Sequence, residues 1–311
     1  AEEFINNECA GIRSEKGELQ AIRHFNSLIS PVRKILNGEL YYNLSIDKTA
    51  GRLHTPLTML KKELRKYVTY DGQRLVGLDL KNSQLFFSML IVDKQTFCRN
   101  RTEDILFYYF SKIDSDGGKN RISKLKKILA DKDGETDMVE YKYSVLKGMA
   151  YENIGQYTHT YVGYPKNYTE KEQKKPEREF TKKSLMKIMN GKIIQNAAIQ
   201  KYKRLNPPKK SPRMEFICHF PNVNKIFDII KENNYKMISW ILQHIEARYI
   251  LHTVCKQIAK NNAHIPLFTI HDSIITTEEY SAFVQSEMIR IITESIGLSP
   301  RVSIENWFNN V

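Results

Sequence analysis

Two aspartates stand where strands normally carry apolar side chains. Asp79 lies near the end of Arg74-Leu-Val-Gly-Leu-Asp-Leu80, and Asp272 lies inside Pro266-Leu-Phe-Thr-Ile-His-Asp-Ser-Ile-Ile275. A carboxylate embedded in such a run must be hydrogen-bonded, ion-paired or metal-bound, because burying it unpaired is costly. Two of them on neighbouring strands have the chemistry to share a pair of Mg2+ ions, one lowering the pKa of an attacking hydroxyl and the other steadying a phosphate leaving group. The plainer reading is that each Asp caps a turn or pairs with a local Lys or Arg, and strand context alone leaves both open. His271 adjoins Asp272 and, on a strand, is expected to face the other way, which makes it a poor co-ligand for the same metal. A hydrogen-bonding role and a structural one are both open to it.

The second constellation is basic. Arg178, Lys182 and Lys183 open the run Arg-Glu-Phe-Thr-Lys-Lys-Ser-Leu-Met-Lys-Ile-Met-Asn-Gly191, which has helical periodicity. Arg178 and Lys182 share a helix face. Turned toward a carboxylate site, that face would neutralise a triphosphate and shield its leaving pyrophosphate. Met186 comes next on the stripe, so the basic patch is confined to the start of the helix. Asn190 and Gly191 lie about two turns past Lys182, where a base or sugar could rest against an uncrowded surface. The competing reading is a solvated basic turn.

These residues need a scaffold, and the pattern supplies one. Residues 15–37 have apolar positions at helical spacing, and Leu57, Leu60 and Leu64 can share a helical face after Pro56. Residues 74–80 read as a strand followed directly by an apolar helix from Gln84. Segments 112–133 and 165–179, rich in Lys and acids, are expected to include exposed loops, and 204–213 a proline-containing loop. Helices are predicted at 178–200, 237–260 and 277–296, a strand or tight hairpin at 267–275 and a short strand near 301–305. Strands and helices interleave without repeats, in an α+β pattern.

Composition sets the outer bounds. The chain has 311 residues, 41% hydrophobic, which suffices for one large or two modest domains with a buried core. No apolar run is long enough to span a membrane. The start AEEFINNECA has neither a basic head nor an apolar stretch, so a cytoplasmic location is expected rather than secretion. The four cysteines form no CxxC pair, which speaks against structural zinc or a disulfide framework. Lys and Arg number 48 against 35 acids, a net charge of +13 that favours a polyanionic partner.

In order and spacing, four pieces resemble the family A nucleic-acid polymerases, and most closely the phage-type single-subunit RNA polymerases within them. Thr49-Ala-Gly-Arg52 is similar to the glycine–arginine motif ahead of the palm, where the arginine contacts template or hybrid. Asp79-Leu-Lys-Asn-Ser-Gln-Leu-Phe-Phe resembles motif A, whose aspartate binds both metals. The run from Arg178 to Gly191 resembles motif B, the fingers helix, with Arg178 and Lys182 on the triphosphate-binding positions. His271-Asp272-Ser273 resembles motif C, with Asp272 as the second metal ligand. The resemblance implies a right-hand fold, with a small antiparallel palm sheet packed on helices, helical fingers and a reduced thumb. The expected layout is 1–70 as an N-terminal region and palm entry, 71–92 as motif A, 93–205 as fingers and 206–311 as palm with motif C. It implies nucleotide addition to a 3′-hydroxyl with two Mg2+ ions (Mn2+ as a substitute), on a nucleic-acid template. His271, Gln243 and Glu246 would then lie near the primer end.

The sequence also departs from that family. Asn190 stands where a tyrosine usually precedes the motif B glycine; it can hydrogen-bond a 2′-hydroxyl but cannot stack on a base. The steric gate of DNA-making members, usually glutamate, falls on Gln84 or Phe86. A DNA-directed RNA polymerase or primer-making enzyme is therefore expected, with a compact DNA polymerase of a phage, plasmid or mobile element as the alternative. A non-catalytic nucleic-acid-binding protein on the same fold is the third reading. The short chain predicts no full thumb, promoter-recognition domain or proofreading exonuclease, and a partner subunit or upstream region to supply what is missing.

Overall fold

The computed structural model describes residues 2–40, 42, 44–112, 115–131, 135–147, 150–151, 170–206 and 211–308, and for 115–116, 135 and 170–178 it describes the backbone alone. The fold is mixed α and β, with helices in the majority and one main antiparallel sheet. The chain divides into two compact units. The first comprises 1–80, 246–291 and 302–311, and the second 81–245 and 292–301.

The first unit holds the sheet. Strand β1 (Ser45–Ile46) pairs with β2 (Leu53–His54) as a small ribbon. Strand β3 (Thr69–Tyr70) turns at Asp71-Gly72, both with positive φ, into β4 (Gln73–Leu80). Strand β5 (Phe268–Ile270) forms a hairpin with β6 (Ser273–Thr277), and β7 (Val302–Asn306) completes the set. β4 is central, flanked by β6 and β7, and every pairing is antiparallel. Residues opposite one another in register share a face. Leu75, Gly77 and Asp79 therefore stand on one side with Ile275 and Ser273. On that side Leu75, Ile270 and Ile275 join a cluster with Leu57, Leu60, Leu64, Leu28, Ile5 and Trp307. Leu78 and Ile274, on the other side, are wholly buried, which is why the strand reads as nearly continuous apolar sequence.

The helix expected over 15–37 is observed as Glu18–Leu36, and a second helix, Glu2–Lys16, precedes it; the two meet at Gly17, whose φ of 84° breaks the path and lets them pack together. The helix expected after Pro56 is one turn, Pro56–Met59, followed by a 3-10 segment, Lys62–Tyr67. Thr55 and Thr58 form a reciprocal cap at its start, and the chain leaves helical geometry at Leu60. The three leucines are buried all the same.

The second unit is helical. Helix Ser83–Val92 is buried almost throughout, and Tyr141 from helix Glu135–Leu146 packs edge-on against Phe216, Phe220 and Phe227. The Tyr141 hydroxyl meets Ser88 at 3.1 Å, so the one polar tip in this aromatic core is satisfied. Asp137 accepts from the backbone of Asn222 and Val223, capping helix Pro221–Lys231 from a neighbouring helix. Within the segments expected to include loops, Ser115–Ala130 and the stretch from 170 that begins helix Glu170–Asn190 are helical, while 113–114, 132–133 and 165–169 lie outside the described residues. The first buries Arg121, Ile122 and Leu125 on an amphipathic face, which charge-rich composition had masked. The predicted helix over 178–200 instead ends at Asn190 and resumes as Asn196–Leu205. Helices Met237–Ala247 and Lys256–Asn261 are joined by a π-helical stretch, Arg248–Cys255. No helix among the described residues is long and apolar enough to cross a membrane.

Candidate active site

The register of the sheet places the two aspartates. Asp79 sits in the central strand directly opposite Ser273 on one side and Ser303 on the other. Asp272 immediately precedes Ser273, in the two-residue turn between β5 and β6. Both aspartates therefore stand at the same end of one ladder, Asp79 in β4 and Asp272 in the turn that enters β6. Ser273 Oγ donates to Asp79 Oδ1 at 2.7 Å, which orients that carboxylate and leaves its second oxygen differently placed. Both aspartates are half-buried rather than sealed. Asp79 thus takes a hydroxyl partner from a strand remote in sequence.

His271 corrects an expectation. It does not alternate with Asp272 along a strand; the two form the hairpin turn, with His271 at φ 55°. A left-handed histidine is uncommon, and the turn holds it there because Ile270 and Ser273 are register partners with only two residues between them. Its ring meets His54 edge-on, centroids 6.5 Å apart. Burial in the surrounding protein, then the charges of Arg52 and Arg65 and the neighbouring His54, hold the His271 pKa below its ordinary value, which favours the neutral ring at pH 7.

Arg52 is fixed from two directions. Its Nε donates to Glu246 Oε1 at 3.1 Å, and its terminal nitrogen pairs with the same oxygen. Glu246, expected near a primer end, is buried and engaged with this arginine. The backbone of the Thr49-Ala-Gly-Arg loop is shaped by Asp47, whose carboxylate accepts from the amides of Thr49, Ala50 and Arg52 at 2.9, 2.6 and 2.9 Å. Partial burial raises the Asp47 pKa, but these three amides outweigh it, and the net shift is downward. Gly51, at φ 70°, supplies the left-handed step the loop needs. Asp47 escaped the sequence reading; the signal was an Asp two residues before Thr in a Gly-containing turn. Arg65 likewise lies outside the motifs that the sequence singles out. It stacks over Trp307 at 5.9 Å, and burial lowers its pKa.

In the helical unit, Lys182 and Lys183 are exposed on a helix whose Thr181, Ser184, Leu185 and Ile188 are buried. Arg178 lies in the same helix, but its side chain is outside the described residues. Asn190 is half-buried, and among the described residues its Oδ1 has no hydrogen-bond partner. Gln84 Oε1 is in the same situation. Phe86 is buried, in edge contact with Phe87 at 5.5 Å, and Gln243 donates to Ser239 at 3.2 Å.

No protein-family model and no curated protein sequence matches the chain. Among solved structures it is similar to the POL domain of Pol1 from M. smegmatis, in complex with DNA primer-template and dNTP, at 13% identity and a TM-score of 0.35. The match covers 96% of this chain and 55% of that one, so the chain spans about half the length of its structural neighbour.

The donor set suits a hard divalent cation. Asp79 and Asp272 offer carboxylate oxygens, and the cysteines are elsewhere in the fold. Among the described residues no group of three or more His, Cys, Asp or Glu side chains converges as a metal cage. Two carboxylates fit Mg2+, which retains waters and completes its shell from substrate phosphate, better than they fit a metal needing an all-protein cage.

Proposed function

We propose that the chain is a template-using nucleotidyltransferase that adds nucleotides to a 3′-hydroxyl. The observation that carries this reading is the placement of Asp79 and Asp272 at one end of the β4–β6 ladder, with Ser273 orienting Asp79. Asp79 and Asp272 would hold Mg2+, which supplies charge neutralisation for the hydroxyl and the phosphates. The chain's own residues do the rest. Arg52, held against Glu246, presents a fixed cation to a nucleic-acid backbone, and the neutral His271 ring can accept or donate one hydrogen bond beside it. In the helical unit, the resemblance to motif B would give Lys182, Lys183 and Arg178 the charge for a triphosphate and Asn190 a hydrogen bond to sugar or base.

Within this class we favour ribonucleotide transfer on a DNA template, as in the phage-type RNA polymerases that the motifs resemble. Support comes from Phe86, which is packed in the interior rather than presented as a gate, and from Asn190, a half-buried amide at the helix end of a type that can hydrogen-bond a 2′-hydroxyl. The test is extension of a primed and an unprimed DNA template with Mg2+ and either rNTPs or dNTPs. Incorporation of rNTPs, abolished in Asp79→Ala and Asp272→Ala, is expected. Efficient extension with dNTPs alone would favour the compact DNA polymerase, and activity surviving both substitutions would remove the two-carboxylate mechanism.

A further inference from the structure

One charged side chain of the helical unit is buried in a place the reaction does not obviously require. Lys231, at the end of helix Pro221–Lys231, is 2% exposed and lies in the apolar run Ile226-Phe-Asp-Ile-Ile-Lys231. Its ammonium donates to the carbonyl oxygen of Ile188 at 2.7 Å. Ile188 belongs to the last turn of helix Glu170–Asn190, where carbonyls lack intrahelical partners and the helix dipole is negative. A cation at that point satisfies an orphan acceptor and the dipole together.

Two more charges complete the arrangement. Asp228, one turn before Lys231, accepts from Asn224 Nδ2 at 2.7 Å and attracts both Lys231 and Arg213. Arg213, from helix Pro212–His219, lies against Gly191: a Cβ there would come within 3.2 Å of its guanidinium and 2.4 Å of the Lys187 carbonyl oxygen. Gly191 is thus confined by backbone on one side and by Arg213 on the other. Arg213 also lines a pocket of about 680 Å3 with Phe180, Ser184, Lys187, Asn190 and Gly191. Among the described residues, the charges that bear on Lys231 are those of Asp228 and Arg213, and the buried Arg121 of helix Ser115–Ala130 lies over the Phe110 ring. Lys124 pairs with Glu232, Asp137 caps the opposite end, and Ser83–Val92 carries no ionisable side chain.

We propose that Lys231, assisted by Asp228 and Arg213, is a positioning residue that locks the last turn of the Glu170–Asn190 helix and thereby sets Asn190 and Gly191 for the incoming nucleotide. This rests on the reading that Asn190 serves the nucleotide. The lock itself is a property of the free protein. Burial costs Lys231 most of its hold on the proton, moving its pKa from 10.5 down to about 8 despite Asp228. Deprotonation above that pH removes the charge at the helix end. The unfolded chain keeps its proton up to the ordinary lysine value, so fold stability rises from pH about 8 toward 10.5 while the lock weakens. A purely structural lysine would improve with pH; a positioning lysine does the opposite in its kinetic readout.

The experiment compares the wild type with Lys231→Met and Asp228→Asn in two measurements. Hydrogen–deuterium exchange of the backbone over 185–192 in the free protein should quicken in Lys231→Met by about tenfold or more. In single-nucleotide incorporation on primed DNA with Mg2+, KM for the nucleoside triphosphate should rise about tenfold with kcat within about twofold. Wild-type KM should climb above pH about 8, Lys231→Met should lack that limb, and Asp228→Asn should move it to lower pH by removing the carboxylate that helps keep Lys231 charged. A folded Lys231→Met with wild-type exchange and KM overturns the proposal, as does a wild-type KM flat through pH 8. If Lys231→Met fails to fold, the position of the limb in Asp228→Asn decides. A wild type that incorporates no nucleotide removes the nucleotidyl-transfer reading, while the exchange measurement still judges the lock.

Discussion

The two units secure charged side chains by different means. In the sheet unit, Asp79, Asp272 and Arg52 are held by register and by short loops, and they remain partly open to solvent. Ser273 reaches Asp79 because strand pairing puts it opposite, and Asp47 holds Arg52's backbone through three amides of one turn. In the helical unit, Lys182 and Lys183 are exposed on a surface, and the restraint lies in the buried Lys231 with the half-buried Asp228 and Arg213. A sheet delivers geometry through its hydrogen-bond ladder, so its functional groups need little burial. A helix presented to a substrate has no ladder to neighbours and must be pinned by packing and buried charge.

The sharpest way to break this comparison is to remove the groups placed by register. Asp79→Ala or Asp272→Ala should lower nucleotide incorporation by about 10³-fold with melting temperature little changed, measured by primer extension and thermal unfolding. A large loss of stability instead would make these carboxylates structural. Next comes the one sheet-unit device that is buried. Glu246→Ala leaves Arg52 without its partner and should cost about 3 kcal/mol in denaturant unfolding, whereas Glu246→Gln, which keeps an acceptor, should cost clearly less.

Two glycines refine the contrast. Gly191→Ala drives a methyl to 2.4 Å from a backbone oxygen and should cost about 2 kcal/mol. Gly77→Ala meets side-chain atoms of Trp307 and Ile275 at 3.3 and 3.4 Å, which can yield, and should cost about 1 kcal/mol or less. Equal costs would mean that the helix end is no more tightly held than the sheet.

The smallest effect concerns His271. Its folded pKa is below the unfolded value of 6.5, so its contribution to stability is complete above pH 6.5 and is lost as pH falls through the folded pKa. His271→Asn keeps a residue tolerant of left-handed φ and should abolish that acid limb, read by NMR titration and unfolding at several pH values.

Much of this was legible before the fold. The strand at 73–80 and the apolar helix after it follow from period, and 267–275 reads as a strand or tight hairpin, although only the structure puts the turn on His271-Asp272. The helix Glu2–Lys16 ahead of Gly17 and the early end of the Leu57 helix were not legible, because the first is mostly polar and in the second the leucines are buried by tertiary packing although the helix stops at Met59. Charge-rich segments hid helices at 115–130 and 170–178, since exposed polar residues outnumber the buried face in any short window. Lys231 and Asp228 carried a signal that went unused: two charges within an apolar helical run, three residues apart.

By itself the sequence determined which residues could do chemistry and which segments would fold locally. Local periodicity and motif spacing depend on neighbours a few positions away. The tertiary structure alone decided that Ser273 orients Asp79, that Glu246 holds Arg52 and that Lys231 grips Ile188. Each of those pairs joins segments far apart in the chain, with 194, 194 and 43 positions between them, and no local propensity encodes such a meeting. Packing brings them together, and the cost of leaving a buried charge unpaired then fixes which partner each one takes.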